Sequence, residues 1–401
     1  MKKTWKKWLA LAAAGMMAVS MTGCADLTAK LTGLFGKNSE SGSADSSDSE
    51  VVGLDDPIIL ENVTKAKNVI LMIGDGMGPQ QIAAGELFKG ESLTMQQFPY
   101  MTTVETRSLS GTTDSAAAAT ALATGTRTTN GIVGKDSSYQ DLTTIVDIAA
   151  SLGKRTGIIA TEEIHGATPM GFSGHSNARG NTNELLESAA TSSNVNLFAS
   201  SALAPKNLRY FTDAGYEKIQ LPEDISTATE EKIVGSYAID PLMEPMSANG
   251  GLVAFDRLVT EALEYLSQDE DGFFLMAEGS HIDHGGHNND INYMLKELIS
   301  FDDGVQAVLE WAKDRDDTVV IVTADHETGG LLLDEGATHQ DMLAAYEGVD
   351  IGYRWTSKGH TNTDVHCYIN GANIDFASYS FADSGRIKNT DVFQIMKSLM
   401  E

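Results

Sequence analysis

The sequence predicts an α/β fold, a three-layer α/β/α sandwich around a mostly parallel central sheet. Two observations carry it. From about residue 57 onward, apolar runs of strand length alternate with helical patterns. Three of the runs also end at a carboxylate. The runs that matter are Val69 to Ile73, Gly157 to Ala160, Phe273 to Ala277 and Val319 to Thr323. Asp75 follows the first, Glu278 the third and Asp325 the fourth. In a parallel sheet the C-terminal ends of the strands lie side by side, so these acids are expected to converge in one crevice.

After the third run, Ile291, Leu295, Leu298, Val305, Leu309 and Ala312 recur at helical spacing. They mark a long amphipathic helix, in one piece or two. Residues 205 to 250 carry Pro205, Pro222, Pro241 and Pro245 with weak periodicity, and read as an irregular insertion in a catalytic domain spanning residues 57–401.

Buried carboxylates cost several kcal/mol each unless a cation neutralises them, so a crevice of acids calls for metal ions. The segment Glu278 to His287 adds Asp283 and His287, four residues apart and on one face if helical. Asp325-His326 adds a second acid and imidazole directly after a strand. A lone pair of this kind usually serves as a salt bridge or a cap; several of them at strand ends point to metal. Imidazole with carboxylate suits zinc, and an all-oxygen set suits magnesium.

The nucleophile candidate is Ser115, followed by Ala116 to Ala119, Thr120 and Ala121. This run forms helix readily and Thr113 or Asp114 can cap it, which places Ser115 at a helix N-terminus where backbone amides favour a phosphate anion. By itself that pattern is a capped helix. A serine hydroxyl becomes a good nucleophile when a base or metal activates it, and the neighbouring cluster offers metal.

With 56 acidic against 28 basic side chains, the net charge of −28 argues against a nucleic-acid-binding surface. Lys2, Lys3, Lys6 and Lys7 precede a short apolar stretch from Leu9 to Val19, the pattern of an export signal too short to span a bilayer. It closes on Met21-Thr22-Gly23-Cys24, which resembles a bacterial lipoprotein cleavage box. Residues 1–23 are thus expected to be a signal peptide and Cys24 the lipid-bearing residue. The polar, acidic, Ser- and Gly-rich tract from 24 to 56 reads as a disordered tether. The protein is then expected outside the cytoplasm, held to a membrane. Only Cys24 and Cys367 occur, so no internal disulfide is expected in the lipidated chain.

Together, Ile73-Gly74-Asp75-Gly76-Met77-Gly78, Thr113-Asp114-Ser115-Ala116-Ala117, Glu278 to His287, Thr323-Ala324-Asp325-His326 and Lys358-Gly359-His360-Thr361 resemble the alkaline phosphatase family in order and spacing, from about residue 66 to the end. The resemblance implies two zinc ions and one magnesium ion per chain. The first zinc would take Asp283, His287 and His360, and the second Asp75, Asp325 and His326. Magnesium would take Asp75, Thr168 and Glu278. It also implies Ser115 as nucleophile, Arg179 as the phosphate clamp and His284 as a residue that tunes phosphate affinity.

The implied reaction is hydrolysis of small phosphate monoesters by double displacement through a phosphoserine, with an alkaline optimum. Family members are often homodimers. Gly166 stands where the family commonly has Asp or His, so the magnesium site is expected to lack a partner that orients its waters, and Asp at 166 is expected to tighten it. Related phosphodiesterases usually carry Thr at the nucleophile position. Sulfatases use a Cys in a C-x-P-x-R setting, which neither cysteine has. From a different class, a surface lipoprotein that only binds metal or phosphate would have no use for an activated serine.

Overall fold

Four strands made almost wholly of aliphatic residues set the centre of the sheet: β1 (Asn68–Gly74), β3 (Arg155–Ala160), β8 (Phe273–Gly279) and β9 (Thr318–Ala324). Every residue of β1, β8 and β9 is buried, as expected of parallel strands covered on both faces. These are the four runs predicted from the sequence. They lie next to one another in the order β9-β1-β8-β3, all parallel. The computed structural model describes residues 64–201, 203–239, 252–371 and 385–401, which belong to the unit Asp56–Glu401. The expected signal peptide, Cys24 and the whole of the tether lie outside the described residues.

In chain order, β1 is followed by α1 (Pro79–Lys89), β2 (Tyr100–Glu105), α2 (Ser115–Thr124), α3 (Ile145–Ser151) and β3. Next come α4 (Ala167–Ser173), α5 (Thr182–Ser192), β4 (Leu197–Ser201), α6 (Pro205–Asp213), β5 (Glu217–Ile219), β6 (Ile233–Ile239), β7 (Leu252–Val253) and α7 (Phe255–Leu266). After β8 stand α8 (His281–Asn288), α9 (Ile291–Ala312) and β9. The chain continues through β10 (Glu327–Thr328), β11 (Leu331–Leu333), α10 (His339–Tyr346), β12 (Tyr353–Trp355), β13 (His360–Thr361), β14 (Val365–Gly371), β15 (Arg386–Lys388) and α11 (Asn389–Met400).

Among the described residues the main sheet has 11 strands. Its order is β15-β2-β14-β9-β1-β8-β3-β4-β6-β5, with β7 beside β6. Only β14 is antiparallel to its neighbours, β2 and β9. Helices flank the sheet, which makes the architecture the α/β sandwich that the alternation of patterns predicts. The helix expected after the third strand is one unbroken element of 22 residues, α9, capped by Asp290, whose side chain accepts from the Tyr293 N–H.

Residues 205–239 differ from expectation. Instead of an irregular insertion they form α6, β5 and β6, and the two strands extend the sheet beyond β4. The prolines sit where they do no harm: Pro205 opens α6 and Pro222 opens a short 3₁₀ turn. Pro241 and Pro245 lie outside the described residues.

Candidate active site

The parallel register sets the site. Ile73 pairs with both Glu278 and Thr323, so Asp75, Glu278 and Asp325 emerge at one edge of three adjacent strands. Glu278 is itself the penultimate residue of β8 rather than the residue after it. The turn after β1 is drawn tightly into the crevice: Gly76 has φ 71°, its N–H donates to Asp325 Oδ1 at 3.2 Å, and a Cβ there would stand 2.7 Å from the Asp283 Cα. Only glycine meets both requirements.

Asp283 and His287 are one turn apart on α8, with His287 Nε2 3.4 Å from Asp283 Oδ2. His360 enters from β13, its Nε2 3.5 Å from Asp283 Oδ1 and 3.2 Å from His287 Nε2. The Nδ1 atoms of these two histidines face carbonyls, Lys358 O for His287 and Thr113 O for His360. A carbonyl accepts, so each Nδ1 carries the proton and each Nε2 keeps its lone pair. Two imidazole lone pairs 3.2 Å apart beside a carboxylate form a donor set that fits a cation.

His326 joins this group to the next. Its Nε2 is 3.1 Å from Asp325 Oδ2, 3.5 Å from Asp75 Oδ1 and 3.2 Å from Ser115 Oγ, and its ring stacks on that of His360 with centroids 3.5 Å apart. Among the described residues, two groups have ligand atoms close enough to hold an ion: Asp75, Asp325 and His326, and Asp283, His326 and His360. The first is the set expected for the second zinc. In the second, His326 takes the place expected of His287, which still touches both Asp283 and His360. Thr328, which sequence reasoning missed, hydrogen-bonds Asp283 Oδ1 at 2.5 Å and His326 Nδ1 at 3.2 Å, and so ties the two groups together. Its only signal was its place two residues after His326.

The third expected set is as deeply buried as the second. Glu278 is 0 % exposed, Thr168 1 % and Asp75 6 %, yet Thr168 Oγ1, both Glu278 carboxylate oxygens and Asp75 Oδ1 make no well-formed hydrogen bond. Buried oxygen atoms are rarely left this way, and this all-oxygen set fits a hard divalent cation. Burial, with Asp325, Asp283, Glu278 and Glu162 nearby, pushes the Asp75 carboxyl well above the usual range. Burial and the Glu162 carboxylate do the same to Glu278. Burial works against ionisation of Asp283 and Asp325 too, but neighbouring histidines and hydrogen bonds outweigh it and hold both below the usual range.

Ser115 opens α2. Of the two candidate caps, Asp114 is the one used, its Oδ1 accepting from Ala117 N at 3.0 Å. Arg179, on the loop before α5, reaches Asp114 Oδ2 at 3.3 Å, which brings its guanidinium beside the nucleophile's cap. His284 is exposed on α8, its ring 4.8 Å from that of His281. At Gly166 a Cβ would overlap Oε1 and Cδ of Glu162, so any side chain at 166 requires the Glu162 side chain to move aside.

A family profile, "Alkaline phosphatase", matches residues 66–209 and 252–348. This chain belongs to the alkaline phosphatase family. Alkaline phosphatase 3 of Bacillus subtilis is 32% identical over 67% of this chain and 63% of its own length. Alkaline phosphatase of Escherichia coli is 29% identical over 84% of this chain and 86% of its own. The chain thus spans just under two thirds of the Bacillus relative. Among solved structures, alkaline phosphatase from the Antarctic bacterium TAB5 superposes with a TM-score of 0.70 at 28% identity, covering 84% of this chain and 98% of its own.

Proposed function

We propose that this chain is a metal-dependent phosphomonoesterase that transfers the phosphoryl group first to Ser115 and then to water. The reading rests above all on Ser115 Oγ, at the start of α2, standing 3.2 Å from His326, the imidazole shared by both ligand groups. Ser115 Oγ gives up its proton to solvent and attacks phosphorus, the ester P–O bond breaks, and the leaving oxygen takes up a proton from solvent as the alcohol departs. Water then attacks the phosphoserine, the Ser115 O–P bond breaks and inorganic phosphate departs. The N–H groups of the first turn of α2 attract the phosphate oxygens. Arg179 donates two parallel hydrogen bonds to phosphate while Asp114 orients it.

Zinc held by Asp283, His287 and His360, zinc held by Asp75, Asp325 and His326, and magnesium held by Asp75, Thr168 and Glu278 would neutralise the carboxylates, lower the pKa of coordinated hydroxyls and stabilise charge on the phosphoryl oxygens. A variant of the TAB5 enzyme is described with Mg bound in its M3 site.

The test is turnover of p-nitrophenyl phosphate against bis-(p-nitrophenyl) phosphate, with elemental analysis of the same protein. Zinc, magnesium and a strong monoester preference are expected. A diester preference, or no turnover with metals bound, would overturn the reading. We further propose lipidation at Cys24 and a location outside the cytoplasm. Cys24→Ala should then release the protein from washed membranes, and retention would contradict this.

A further inference from the structure

Gly166 has φ −55° and ψ 159°, a backbone conformation open to residues with side chains. Glycine is therefore not required there by conformation. The obstacle to a side chain is the Glu162 carboxylate, which stands where one at 166 would begin and would have to move aside. Glu162 is held in that position by its backbone on both sides: its N–H donates to Ser280 Oγ at 3.3 Å and its carbonyl accepts from Ser201 N at 3.0 Å. The preceding residue, Thr161, is fixed to β8, with its N–H bonded to Glu278 O at 3.0 Å and its Oγ1 accepting from Ser280 N at 2.8 Å.

The Glu162 carboxylate makes no hydrogen bond or ion pair among the described residues. It lies within electrostatic reach of Asp75, Glu278, Asp283, Asp325 and Arg179. Glu278, whose carboxylate oxygens are buried without a well-formed hydrogen bond, feels Glu162 as the largest charge upon it. Arg179 offsets part of this repulsion, and a cation among the acids would offset the rest.

We propose that Glu162 is the positioning carboxylate of the third cation, filling from position 162 the volume that position 166 leaves open, and that residue 166 is glycine in order to admit it. This rests on the third-cation reading given above. A magnesium ion keeps several of its waters, and an outer carboxylate orients them by accepting their hydrogen bonds. Glu162 supplies that acceptor and one more negative charge to the all-oxygen set.

Titration calorimetry of zinc-loaded protein with magnesium chloride tests this. Wild-type protein is expected to bind one ion, and Glu162→Gln, which keeps the side-chain shape, is expected to raise Kd by roughly ten- to a hundredfold. Gly166→Ala should weaken binding to a similar extent by displacing Glu162. Placed on Glu162→Ala, Gly166→Ala should cost nothing further. Circular dichroism and zinc content establish that each variant is folded and loaded.

Magnesium binding by wild type and by Glu162→Gln within about twofold of each other would overturn this inference alone, since outer partners normally cost far more. An equal loss from Gly166→Ala with and without Glu162 would also overturn it. If wild-type zinc-loaded protein binds no magnesium, the third-cation reading falls and this inference with it.

Discussion

The crevice has two halves that are alike in burial and opposite in electrostatics. In the imidazole half, Asp283 and Asp325 are surrounded by His287, His326, His360, the Thr328 hydroxyl and the Gly76 and His326 amides, and both carboxyls are held below their usual range. In the carboxylate half, Asp75, Glu278 and Glu162 face one another and Thr168, and all three carboxyls are raised. The first half supports its carboxylates with hydrogen-bond donors. The second needs cations to do so, and without them it stores unfavourable free energy at the end of three strands.

Neutralising one acid in each half separates them most strongly. In chelated protein at about pH 8, Asp325→Asn should destabilise the fold by about 2 kcal/mol, because it removes a buried carboxylate that accepts from the Gly76 and His326 amides. Glu278→Gln should instead raise the melting temperature, since it removes a charge that the metal-free fold holds at a cost. Shifts of the same sign in thermal melts of the two variants would erase the distinction.

The pH dependence of the metal-free protein is a smaller effect of the same origin. Burial pushes the Glu162 carboxyl up to about 7. Below the ordinary glutamate range both folded and unfolded chains carry the proton, and no penalty exists. As pH rises from about 4.5 to about 7 the unfolded chain ionises first, so the metal-free fold loses stability over that window. Saturating zinc and magnesium should flatten the slope. Denaturant titrations at several pH values, with and without metal, measure it. A metal-free stability that rises across the window would contradict the raised carboxyl.

Cys367 lies fully buried in β14, beside Thr323 of β9, and burial pushes its thiol up to about 12. It should not react with a disulfide reagent near pH 8 until the protein is unfolded. Prompt labelling of native protein would contradict its burial.

The imidazole half was the more legible in sequence, for a physical reason. Its ligands stand at spacings that the elements impose, as in Asp283 and His287 one turn apart, and Asp325-His326 directly after a strand. Likewise the four central strands were readable because strands buried on both faces admit only apolar runs. The short strand β5 and the more polar β6 gave no such signal, and residues 205–239 passed for an irregular insertion. The carboxylate half was read only in part. A glycine at 166 registers in sequence as a missing side chain, and the side chain that fills its place starts four residues earlier, where only the fold brings it back.

The central claim is that phosphoryl transfer passes through Ser115. Acid quenching of metal-loaded protein during turnover of a monoester, followed by mass spectrometry of its peptides, tests it most directly. The account predicts one phosphoryl group on the peptide that carries Ser115, absent with its turnover in Ser115→Ala. Sustained turnover by Ser115→Ala, or a phosphoryl group trapped on another residue, would contradict it.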